Sequence, residues 1–64
     1  MVAITKLNGH PMVINSDLIE VMEATPDTTI TMTTGRIVIA KEPVEEIIAR
    51  VIEYKNKIVR YPQA

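Results

Sequence analysis

Thr28-Thr29-Ile30-Thr31-Met32-Thr33-Thr34-Gly35-Arg36-Ile37-Val38-Ile39-Ala40 is the one stretch where strand periodicity, a turn signal and a face assignment coincide. Folded as a hairpin about Thr34-Gly35, it sets Met32 opposite Ile37, Ile30 opposite Ile39, Thr31 opposite Val38 and Thr29 opposite Ala40. One face then carries Ile30, Met32, Ile37 and Ile39, and the other carries Thr29, Thr31, Thr33 and Arg36. A second register stays open. Thr34 is a poor residue for positive φ, so a type I turn with a bulge at Gly35 would shift the pairing by one. Ile37-Val38-Ile39 is apolar at every position, and its pattern does not choose between the two.

Upstream, Val2 to Leu7 is rich in β-branched residues and runs into Asn8-Gly9, a strong short hairpin signal. Met12 to Ile14 returns. In the two-residue register Ile4 faces Val13 and Thr5 faces Met12, which leaves the ribbon apolar on both sides. Pro11 lacks an N–H and belongs at a strand end or on a solvent side. Asn15-Ser16-Asp17 reads either as the cap of a helical turn through Leu18, Ile19 and Met22 or as a turn into a strand from Ile19 to Ala24. The strand is preferred, because the segment is too short for an independent helix. It would point Ile19, Val21 and Glu23 one way, and Glu20 and Met22 the other. Thr25-Pro26-Asp27-Thr28 then makes the turn into the central hairpin.

Downstream, Lys41-Glu42-Pro43 changes the period. Pro43 suits a first helical position, and Val44, Ile47, Ile48, Val51, Tyr54 and Ile58 recur at three and four residues. Glu45 and Glu46 lie in the first turn, and Lys55 and Lys57 near the end, in accord with the helix dipole. Glu46 with Arg50 and Glu53 with Lys57 are pairs spaced by four. A helix of this length does not stand alone in water. It needs a sheet face, and the expected seat is Ile30, Met32, Ile37 and Ile39, receiving Val44, Ile47, Ile48 and Val51.

The predicted fold is therefore α+β: a small antiparallel β-meander, or partly open barrel, of about five strands with one C-terminal amphipathic helix packed on it. Residues 1–58 form a single domain and 59–64 a C-terminal tail in which Pro62 stops any continuation. With 64 residues, no Cys and one His, the chain has neither disulfides nor the usual zinc ligands to support a small core. Ten Ile, seven Val and four Met without Phe or Trp make an apolar inventory large for one thin sheet and one helix. A homo-oligomer is expected.

A net charge of −1 disfavours a nucleic-acid binder, which shows a clear basic excess. No leader pattern and no apolar run of membrane-spanning length is visible, so a cytoplasmic location is expected. His10 follows a hairpin glycine and reads as a turn-flanking residue. Asp17, Glu20, Glu23 and Asp27 lack calcium-loop spacing, and the two glycines are isolated, so no catalytic, cofactor or metal site is assigned. Two features suit binding: the Thr29, Thr31 and Thr33 face with Arg36, which reads equally as the wet side of an antiparallel sheet, and the patch of Lys55, Lys57, Arg60 and Tyr61 at the basic end of the helix, beside Tyr54. The patch suits an acidic protein surface, RNA or anionic lipid, and equally a solvated helix terminus.

Ile4-Thr5-Lys6-Leu7-Asn8-Gly9, Asn15, Leu18-Ile19-Glu20, Ala24-Thr25-Pro26-Asp27-Thr28, Ile30-Thr31, Gly35, Glu42, Glu45-Glu46 and Tyr54-Lys55 together resemble the small flagellar FlbD family, also called SwrD. The resemblance runs from Met1 to about Ile58. It departs where Thr34-Gly35 replaces the family's Asn-Gly and Pro43 its Ser. The resemblance implies a non-enzymatic bacterial accessory protein of flagellar motility, peripheral to the motor, supporting motor assembly or output through basal-body or stator proteins. It supplies no functional residues. The alternative from another class is a small RNA-binding translational regulator of the CsrA type, which also starts with a β-hairpin and is dimeric.

Overall fold

A computed structural model describes residues 1–60 of the chain; the Tyr61 position of the candidate patch lies outside them. Five antiparallel strands form two sheets that do not close into a barrel, and one C-terminal helix completes the α+β fold. β1 (Val2–Thr5) pairs with β2 (Pro11–Ile14). A 3₁₀ turn at Ser16–Leu18 leads into β3 (Ile19–Glu23), which joins β4 (Thr28–Met32) and β5 (Ile37–Ala40) in the order β3-β4-β5. Helix α1 spans Val44–Arg60, two residues further than its apolar periodicity indicates.

Both hairpins depart from the two-residue register, for one reason. In the first, the Gly9 N–H donates to the Lys6 carbonyl at 2.9 Å and the Lys6 N–H to the His10 carbonyl at 2.9 Å. In the second, the Gly35 N–H donates to the Met32 carbonyl at 2.9 Å and the Met32 N–H to the Arg36 carbonyl at 2.8 Å. Each is a type I turn closed by a glycine bulge, with φ of 88° at Gly9 and 90° at Gly35 and no other positive φ among the described residues. A two-residue type I′ turn would need Asn8 or Thr34 there as well. The chain spends the positive φ on glycine alone, and the pairing moves by one.

That slip decides which side chains are inside. Ile30 lies opposite Val38 and Thr31 opposite Ile37, so the core face is Ile30, Met32, Val38 and Ala40, all buried. Ile37 and Ile39, expected inside, lie outside with Thr29 and Thr31, at 62 % and 39 % exposure. In the first hairpin Ile4 lies opposite Met12 and Ala3 opposite Val13. Val2, Ile4 and Ile14 are buried, whereas Ala3 and Val13 are exposed, so the ribbon is one-sided rather than two-sided.

Both readings of the Asn15 region hold in part. The Asn15 side chain accepts from the Asp17 N–H at 3.0 Å and caps the 3₁₀ turn, and the strand follows at once. A bulge at Glu20 interrupts β3, with Ile19 opposite Met32 and Val21 opposite Thr31. It reverses the expected alternation, placing Ile19 with Met22 against the core and leaving Val21 exposed. The Thr25–Pro26 peptide before β4 is cis.

Helix α1 starts where the Pro43 carbonyl accepts from the Glu46 and Ile47 amides at 3.0 and 3.2 Å. Its main neighbour is β1 rather than the outer pair of the central hairpin. Ile47 is fully buried in the cluster that holds Val2, Ile4, Ile14 and Ile30, and Val51 packs on its edge. Ile48, expected in the seat, is 44 % exposed.

Because open space surrounds both turn glycines, Gly9→Ala and Gly35→Ala test the backbone term alone. Each is expected to cost about 1–2 kcal/mol, from the left-handed conformation forced on an L-residue. The measurement is the urea midpoint of each variant, with the double variant additive because the turns share no contacts.

Candidate functional site

Between β5 and α1 the chain buries one carboxylate. Glu42 is only 8 % exposed, yet its oxygens meet three donors. Oε1 accepts the Thr5 N–H at 2.8 Å, and Oε2 accepts the Thr5 hydroxyl at 2.7 Å and an Arg50 guanidinium N–H at 3.2 Å. The Glu42 carbonyl accepts the buried Thr28 hydroxyl at 2.6 Å. Arg50 also reaches the Ala3 carbonyl at 2.8 Å and Glu46 at 3.3 Å. Alongside, the Lys41 N–H donates to the Thr5 carbonyl at 2.8 Å, and Lys6 bridges Ala40.

This clasp ties β1, β4, the end of β5 and the helix together at the point where the two sheets meet. Burial by itself opposes ionisation of Glu42. The Thr5 N–H, the Thr5 hydroxyl, its own backbone amide and then the Arg50 charge outweigh that burial and hold the carboxyl below its ordinary value. With every oxygen engaged by the chain itself, the group is a structural anchor and not a free acid or base. The sequence shows Glu42 only as part of a break between strand and helix. Its partners lie 37 residues upstream and 8 downstream, beyond any local pattern.

The candidate patch is at the other end of the helix. Lys55 Nζ lies 3.1 Å from Asp17 Oδ1, and Lys57 Nζ lies 3.5 Å from Glu53 Oε1. Both lysines are exposed and both carry an acidic partner, so at this surface the charges meet in pairs. Arg60 ends the helix, and Tyr61 lies outside the described residues. Val51 is half-buried, and 52–57 are all exposed. Among the described side chains of the helix, Ile48 and Ile52, one turn apart, are exposed apolar surface, while Tyr54 lies on the side of Ile47 and Val51.

His10 is exposed at the first turn, its backbone N–H donating to Asn8 Oδ1 at 3.0 Å. Among the described residues no group of three or more His, Asp or Glu side chains is placed to share a metal ion. Among them, too, no helix is long and apolar enough to cross a membrane.

These features define a small open-sheet domain, pinned by one buried carboxylate, that leaves aliphatic side chains on both its sheet and its helix exposed. The family model described as FlbD, flagellar and swarming motility proteins, matches residues 1–59, and the chain belongs to that family. Comparisons with curated proteins and with solved structures found no match.

Proposed function

We infer that the protein is a flagellar accessory factor that supports bacterial motility by contact rather than by catalysis, acting on motor assembly or output. The observation that carries this reading is apolar surface left outside the core of a motility-family chain. Ile37, Ile48 and Ile52 are 62 %, 44 % and 53 % exposed, large side chains of the kind that protein partners cover. The helix supports self-association in particular. Glu45 and Glu46 occupy its first turn, and Lys55 and Lys57 lie toward its other end. Two copies packed antiparallel through Ile48 and Ile52 would set each acidic end against a basic one. The working location is the cytoplasm, at the periphery of the motor. The basic end, Lys55, Lys57, Arg60 and Tyr61, is the face offered to basal-body or stator proteins.

Co-purification from motile cells tests the reading. Stator or basal-body proteins are expected with the tagged full chain, and are lost when Lys55, Lys57 and Arg60 are reversed to Glu. Ile48→Glu with Ile52→Glu is expected to convert the oligomer to a monomer by light scattering without changing the helical circular dichroism. Recovery of flagellar transcripts instead, with salt-sensitive binding to leader RNA, would establish the RNA-regulator alternative.

A further inference from the structure

We propose that the outer edge of β5, Ile37–Ile39, with the groove between it and the tip of the first hairpin, receives an extended, acidic and aliphatic segment of a partner protein as an added strand. The groove is open, about 470 Å³, and Leu7, Met12, Ile37 and Ile39 supply its apolar lining, with Lys6 and Arg36 at its rim.

The backbone makes the edge available. β5 pairs with β4 on one side only, and its other side meets the chain at a single bridge, between Lys6 and Ala40. The Met32 N–H to Arg36 carbonyl bond sets the alternation along the pair, so Val38 exchanges its bonds with Ile30. The N–H and C=O of Ile37 and the N–H of Ile39 then point away from β4. Unpaired groups on an edge strand template a further strand. Ile37 and Ile39 stand on the open sheet face beside them, in register with Thr31 and Thr29, and a new strand would extend that row.

Charge selects the occupant. Seven Lys and Arg occur in the chain, and among the described residues Arg50, Lys55 and Lys57 are the ones in ion pairs. Lys6, Arg36 and Lys41 make none, and all three lie along the β5 edge. A second copy's β5 would bring the same three cations against their likeness. The chain's own acidic edge, β3, is interrupted by the Glu20 bulge, a feature that prevents edge pairing. A segment with glutamates or aspartates alternating with aliphatics, from a different protein, satisfies both the hydrogen bonds and the charges. The proposal rests on the reading that the chain works through protein contacts.

The test is a titration of the isotope-labelled full chain with a short capped peptide alternating glutamate and valine, followed by NMR. Shift changes are expected at Leu7 and at Arg36–Ala40. Three comparisons discriminate: the peptide with lysine in place of glutamate, the peptide N-methylated on alternate residues, and a short single-stranded RNA. The first two are expected to bind at least about tenfold more weakly, and so is the variant Ile39→Pro, which loses an outward N–H without touching the β4 ladder. Should Ile39→Pro unfold, the exposed Arg36→Glu takes its place with the same expected loss. Absence of shifts on β5 at millimolar peptide, equal binding of the lysine peptide, or tighter binding of the RNA overturns the proposal. Deletion of the gene separates the two readings. A motility defect with a silent titration overturns the groove alone, and peptide binding without a motility defect overturns the accessory role alone.

Discussion

Glu42→Leu is expected to remove about 3 kcal/mol of stability, enough to leave much of a domain this small unfolded at 37 °C, since roughly 3–10 kcal/mol is the usual total for a chain of this length. The loss does not come from the Arg50 attraction, because Arg50 is well exposed and turns to water when its partner leaves. It comes from Thr5. Its N–H and hydroxyl, now bonded at 2.8 and 2.7 Å, would sit half-buried without acceptors, at about 1–3 kcal/mol for each orphaned group. Glu42→Gln keeps one acceptor oxygen and is expected to lose about half as much.

Stability should also depend on pH through this side chain. Its folded value is depressed, so its contribution is fully present above the unfolded-state value of about 4.3 and is lost as pH falls through the lower folded-state value. Urea unfolding of wild type and Glu42→Gln from neutral pH down through the acidic range checks both parts. The curves should converge toward the acidic end. Curves that stay parallel would show that Glu42 is not the titrating group.

Ile47→Ala is the second large effect. Ile47 is fully buried where the helix meets the cluster of both sheets, and the truncation is expected to cost about 3 kcal/mol, within the usual range for aliphatic-to-alanine changes in cores. Its neighbour Ile48, 44 % exposed, should cost under about 1 kcal/mol in the same assay. Adjacent residues on one helix thus separate the docked face from the free one. Urea midpoints followed by far-ultraviolet circular dichroism decide it: equal losses at 47 and 48 would mean that the helix sits on β1 in a different rotation. Under the proposed self-association, Ile48→Ala should act on the oligomeric state instead, and concentration-dependent light scattering reads that effect separately.

The elements themselves were legible because each is written in local chemistry. The β-branched runs, the Asn8-Gly9 and Thr34-Gly35 turns, the cap at Asn15 and the three-and-four spacing from Val44 concern neighbours within a few residues. The faces were less legible. In both hairpins the turn residues fit two loop lengths that differ by one, and one residue is the period that turns a strand over. A strand as uniformly apolar as Ile37-Val38-Ile39 carries no veto on the slip. In β3 the Glu20 bulge breaks a count that local pattern assumes to be continuous.

The basic end of the helix was visible as a run of charge. Lys55 meets Asp17 and Lys57 meets Glu53, and the first of these pairs, spanning 38 positions, has no local signature. Among the described side chains, the cations outside ion pairs are Lys6, Arg36 and Lys41. Arg36 and Lys41 flank β5, and the bridge between Lys6 and Ala40 brings the third, 30 residues or more away in sequence, to the same edge.

What the sequence by itself determined is the inventory: five short strands and a helix in this order, and the family. Tertiary structure decided which aliphatic residues are core and which are surface. Turn geometry set by two glycines fixed the registers, and a glutamate with its partners on distant segments fixed how the sheets and helix meet. Local propensity acts over a few residues, whereas register and burial depend on contacts between segments tens of residues apart. Ile37 and Val38 have the same local chemistry, and the fold sends one to the exposed sheet face and the other to the core.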